Sequence, residues 1–69
     1  MLRLKSERLK MNLSQQNLAA KAGLGYADIS RIESGRLIPY PGHLKKLSKF
    51  FKIPGAELMK EENQTENHV

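Results

Sequence analysis

"LSQQNLAAKAGLGYADISRIESG", Leu13 to Gly35, is the stretch that decides how this chain folds. Two short segments of helical spacing flank Gly23-Leu24-Gly25, and Gly35 closes the run. A small protein most needs its core in mid-chain, yet this middle is rich in glycine and small polar residues. Counted from Gln15, four positions carry steric demands. The fifth, Ala19, must be small if a second helix is to cross close to it. The ninth, Gly23, lies in a turn where a side chain would clash or force strain. The fifteenth and eighteenth, Ile29 and Ile32, stand three apart and pin the second helix to a core. Meeting all four demands at these spacings is far more specific than meeting any one.

Local signals fix the ends of both segments. Ser14 is a natural N-cap for "QQNLAAKA", because its hydroxyl can accept from a free N–H of the first turn. Asn17 stands where a capping box needs Glu or Gln, so the box is incomplete. Gly23 suits the left-handed conformation that ends a helix, and Gly25 can cap the next, "YADISRIES", which Gly35 stops. Two helices joined by a tight glycine turn, each with few core residues, present an outer face free for work. That is the pattern of a helix-turn-helix.

Outward from this unit the helical spacing continues. Residues 2–11 read as a first helix, with Leu2 and Leu9 inward, Leu4 and Met11 as further candidates, and Arg3, Lys5 and Lys10 outward. Asn12 breaks it. The stretch "RLIPYPG" is a loop, and Pro41 fits the first turn of a fourth helix, "GHLKKLSKFFK". Its apolar stripe is Leu44, Leu47 and Phe51, while Lys45, Lys46, Lys49 and Lys52 face water or something anionic. Ile53-Pro54 ends it, and "GAELMK" makes a short fifth helix. The expectation is one all-α domain over 1–60, followed by an acidic, disordered tail over 61–69.

Composition bounds the function. A chain of 69 residues allows one small core, burying roughly 60% of its unfolded surface. It has no cysteine, which fits a reducing cytoplasm and excludes disulfides and thiolate metal sites. No apolar run approaches the ~20 residues that cross a bilayer, and "MLRLKSERLK" is too charged for a signal peptide. The expected location is the cytoplasm. Residues 1–60 hold all 12 basic residues and four acids (Glu7, Asp28, Glu33, Glu57), a balance of +8. So basic a body is the electrostatic footprint of a nucleic-acid binder, although basic bodies also occur without that role.

With these residues in view, the chain resembles the phage-repressor type of helix-turn-helix proteins, the Cro/C1 or xenobiotic-response-element family. "LSQQNLAAKAGL", "ISRIESG" and the spacing of Pro39, Leu44 and Leu47 match its pattern over roughly residues 2–59. The resemblance implies a five-helix, lambda-repressor-like domain with its third helix in the DNA major groove. Three local departures are Asn17 for the usual Glu, Gly25 for Ser or Thr, and Pro54 for the usual cap.

By the same similarity, Tyr26, Ala27, Ser30 and Arg31 match the base-reading positions. Arg31 can donate two bonds to guanine, and Ala27 and the Tyr26 ring can meet a thymine methyl. The plainer alternative pairs Arg31 with a phosphate or with Asp28. Ser14, Gln15, Gln16, Gly25, Ser34 and Arg36 form the backbone-contact set, helped by the free N–H groups and dipole at a helix start. Gly35 shares the corner with Ser34 and Arg36. Solvent exposure alone is the alternative for the glutamines. The resemblance further implies a partly buried ion pair between Arg8 and Glu33 that orients the third helix.

The remaining features are fewer. His43 and His68 have no second ligand at helical spacing and read as surface residues, so no metal and no cofactor are expected. No nucleophile stands near a base, and no loop cradles phosphate, so enzymatic activity has no support. Leu37, Ile38, Tyr40, Phe50, Leu58 and Met59 exceed what so small a core easily absorbs. Half of them could close the bundle; alternatively Ile38, Tyr40, Phe50, Leu58 and Met59 build a homodimer interface. The leading expectation is a regulator, a repressor that binds double-stranded DNA at a palindrome as a dimer. The alternative is an antitoxin or other interaction module whose main partner is a protein such as a toxin.

Overall fold

The computed structural model describes residues 1–62. Five helices follow one another: α1 (Arg3–Lys10), α2 (Gln15–Ala22), α3 (Tyr26–Glu33), α4 (Pro41–Phe51) and α5 (Gly55–Leu58). Among the described residues there is no strand, only an isolated antiparallel bridge between Leu2 and Glu61. The fold is the all-α helix-turn-helix bundle expected. Each helix feeds one cluster: Leu4 from α1, Leu18 and Ala19 from α2, Ile29 and Ile32 from α3, Leu47 from α4, Leu58 from α5. Truncating any of the larger members to Ala would cost about 2–5 kcal/mol, a large part of what so small a domain has.

The central unit is held by caps and by one turn. Ser14 Oγ accepts the N–H of Asn17 at 3.0 Å and starts α2. Gly23 ends it at φ 78°, and the N–H of Leu24 returns to the Ala19 carbonyl at 2.8 Å. No atom lies within 4 Å of where a Gly23 Cβ would sit. The expected clash at Gly23 is therefore absent, and the glycine is needed for its dihedral alone. Ala19 is buried where α3 crosses, so its small size does carry a steric demand.

The first helix differs from the expectation. Leu4 and Arg8, four residues apart, share its buried face, while Leu9 is 48% and Met11 51% exposed. Arg8 occupies the inward position because its guanidinium finds an acid there, which leaves Leu9 on the next face round. Asn12 does break the helix, at φ 57°, a conformation asparagine tolerates. The boundaries of α4 and α5 also move. Pro41 is the first residue of α4, Lys52 ends it in the left-handed region at φ 60°, and α5 stops at Leu58.

Leu58 is wholly buried, so it closes the core and is unavailable to an interface. Phe50 and Met59 are half-buried and pack against the same cluster. Glu61 and Glu62, placed by sequence in a free tail, instead run beside the N-terminal segment. The Arg3 N–H donates to the Lys60 carbonyl at 2.8 Å and the Glu62 N–H to the Met1 carbonyl at 2.7 Å. The rest of the expected tail, 63–69, lies outside the described residues.

Candidate nucleic-acid interface

Burial of Ile29 and Ile32 sets the rotation of α3. A helix turned this way must point positions 26, 27, 30 and 31 outward, in two rows spaced by four. Tyr26 is 52% exposed, Ala27 and Arg31 are exposed, and Ser30 is half-buried. Asp28 turns toward α4, its Oδ2 standing 3.5 Å from His43 Nε2. The Asp28 alternative for Arg31 is thereby removed, and among the described residues Arg31 pairs with no acid.

Beside α3, the start of α2 offers its first-turn amides. Those of Gln15 and Gln16 have no carbonyl behind them in the helix, and Ser14 keeps its hydroxyl proton free to donate while it caps. Ser34, Gly35 and Arg36 form an exposed corner at the other end of α3. Ser34 Oγ donates to the Arg31 carbonyl at 3.1 Å, so its hydroxyl helps to close the helix. Gly35 turns the chain at φ 81°.

A buried network fixes these parts relative to one another. Arg8 donates from Nε to Glu33 Oε2 at 2.7 Å, from Nη2 to Oε1 at 3.0 Å, and from Nη1 to the Leu13 carbonyl at 2.7 Å. Gln15 Nε2 donates to Glu33 Oε1 at 3.0 Å. One carboxylate thus joins α1, the start of α2 and the end of α3. Gln15 has one amide hydrogen committed to this network and one still available for an anion.

Two further ties were not visible in the sequence. His43, expected on the surface, is largely covered, and its Nδ1 accepts the N–H of Tyr40 at 3.2 Å at the head of α4. Lys46 Nζ donates to the Gly23 carbonyl at 3.1 Å, so this lysine braces the turn instead of only facing solvent. The Lys46 bond spans 23 residues and no local pattern announces it, whereas the Tyr40–His43 bond spans only three. With Glu33 buried and Asp28 turned aside, the face that carries Arg31 and Arg36 is left basic.

The general family model of the helix-turn-helix matches residues 4–58. The chain belongs to the Cro/C1-type helix-turn-helix family. Members of this family bind DNA. This helix-turn-helix chain is also similar to the HTH-type transcriptional repressor RghR of Bacillus subtilis (strain 168), 42% identical over 57 residues. The similarity covers 81% of this chain and 42% of that relative, so the chain spans less than half of the relative's length. No helix among the described residues is long and apolar enough to cross a membrane.

Proposed function

We propose that this chain is a sequence-specific DNA-binding transcriptional repressor of the cytoplasm, acting as a homodimer on a palindromic operator. The observation that carries the reading is α3 itself. Its inner face is locked by Ile29 and Ile32, and its outer face presents Tyr26, Ala27, Ser30 and Arg31 on a basic surface. Arg31 reads guanine through two hydrogen bonds, and Tyr26 and Ala27 offer apolar contact to thymine. Ser14, Gln15, Gln16, Gly25, Ser34 and Arg36 grip phosphates on either side and set the register. The repressor name of the Bacillus subtilis relative supports the sign of regulation, and blocking polymerase requires only occupancy.

Dimerisation rests on the loop between α3 and α4, where Ile38 is 85% and Tyr40 65% exposed. Two apolar side chains so open to water mark a surface that gains by being covered. Selection of bound sequences from a random DNA pool tests the whole reading. The expected winners are palindromes whose half-sites lie about 34 Å apart, one helical turn. Winners without symmetry would remove the dimer, and no enrichment at all would remove sequence-specific binding.

A further inference from the structure

Between the last turn of α2 and the outer face of α4 lies an open groove of about 350 Å³, lined by Lys21, Ala22, Lys46, Lys49 and Phe50. Its floor is apolar, since Ala22 and Phe50 are half-buried and rest on the core. Its rim is three exposed lysines, and none of them meets a carboxylate among the described residues. The acids of the described residues are engaged elsewhere. Glu7, Glu57 and Glu62 gather around Arg3, Asp28 faces His43, and Arg8 holds Glu33. Lys46 and Lys49 stand three apart on one helix face, a like-charge spacing that is itself unfavourable. Lys46 donates one N–H to Gly23 and keeps two more.

We propose that this groove docks an acidic segment of a partner protein. One aromatic or aliphatic side chain of the segment covers Ala22 and Phe50, and its carboxylates meet Lys21, Lys46 and Lys49. An apolar centre inside a charged rim is the anatomy of a protein–protein contact. A phosphate backbone would use the lysines and leave the floor uncovered. Pairing the groove with itself in a second copy would set lysine against lysine, which also takes Phe50 out of a twofold interface. The site shares no residue with the face assigned to DNA, so the two readings stand or fall separately.

The test is a titration of the isotope-labelled full chain, followed by amide chemical shifts. The probes are a short Glu/Asp-rich peptide with one central Trp, the same peptide with Trp replaced by Ser, and a random-sequence DNA duplex. The expected result is saturable shifts at Ala22, Lys49 and Phe50. Affinity should fall roughly tenfold for the Ser peptide and for the chain carrying Lys21→Gln with Lys49→Gln. Both lysines are exposed, so a thermal melt of that variant should match the parent and show that it folds. Peptide binding that ignores both changes, or that spreads to Arg31 and Arg36, reduces the effect to general charge attraction and overturns the proposal. Larger shifts of the groove residues with duplex DNA than with peptide overturn it in favour of a phosphate track.

Discussion

Arg8 and Glu33, 25 residues apart in sequence, are joined by two parallel hydrogen bonds of 2.7 and 3.0 Å. Both side chains are almost wholly buried, 8% and 3% exposed. The third nitrogen of the guanidinium, Nη1, donates to the Leu13 carbonyl, and Gln15 adds a donor to the acid. A pair so enclosed adds little net stability but is costly to break from one side.

Arg8→Ala should therefore cost about 3–5 kcal/mol, because it strands the Glu33 carboxylate inside the bundle. Replacing both members with apolar residues of similar volume should restore most of that loss. Denaturant unfolding of the two single variants and the double variant checks this. If Arg8→Ala costs less than Glu33→Ala by the whole of that range, the carboxylate is not stranded.

Arg31→Ala should leave folding within about 0.5 kcal/mol of the parent, since the side chain is exposed and pairs with no acid among the described residues. Its effect should fall on one or two operator positions, with roughly 1–3 kcal/mol of discrimination lost there. Arg36→Ala should instead weaken all sequences alike and lower the salt slope by about one. Binding-site selection and salt titration separate the two. A full parental preference in Arg31→Ala would show that this residue does not read bases.

Gly23 and Lys52 make an opposed pair. Gly23 sits at φ 78° in open space, so Gly23→Ala should lose about 1–2 kcal/mol through backbone strain alone. Lys52 holds φ 60° without being glycine, so Lys52→Gly should gain up to about 1 kcal/mol. Thermal midpoints should move in opposite directions, by about 4–8 °C per kcal/mol for a domain of this size. Midpoints moving the same way would contradict the conformational account.

Partial burial raises the pKa of Glu7, but hydrogen bonds from Lys10 and Arg3, both at 3.3 Å, outweigh it and hold the carboxyl below its ordinary value of 4.5. A folded-state pKa below the unfolded one gives stability that is complete above the ordinary value. That stability is lost as pH falls through the depressed value. Glu7→Gln should flatten this part of the acid limb in melts recorded between pH 7 and about pH 3. An unchanged limb would show that the two cations do little for the carboxylate.

What the sequence disclosed and what it hid divide along chain distance. Ala19, Gly23, Ile29 and Ile32 announce the central unit because their demands, a backbone dihedral at Gly23 and packing at the other three, act within one helix pair. Ser14 announces its cap for the same reason, since its partner Asn17 is three residues away. The inward face of α1 departs from its apolar spacing because Arg8 takes it on account of Glu33, far along the chain. His43 with Asp28, Lys46 with Gly23, and Gln15 with Glu33 likewise join residues 15 to 23 positions apart. Leu58 reads as spare apolar surface until α5 is folded over the cluster.

The ties from α4 have a mechanical consequence. His43 touches the head of α3 and Lys46 the tail of α2, so one rod clamps both ends of the joint between them. A helix as short as α3 has no durable shape alone in water, and it borrows rigidity from this clamp. Any force or ligand that prised α4 loose would slacken the α3 residues proposed to face DNA without touching them.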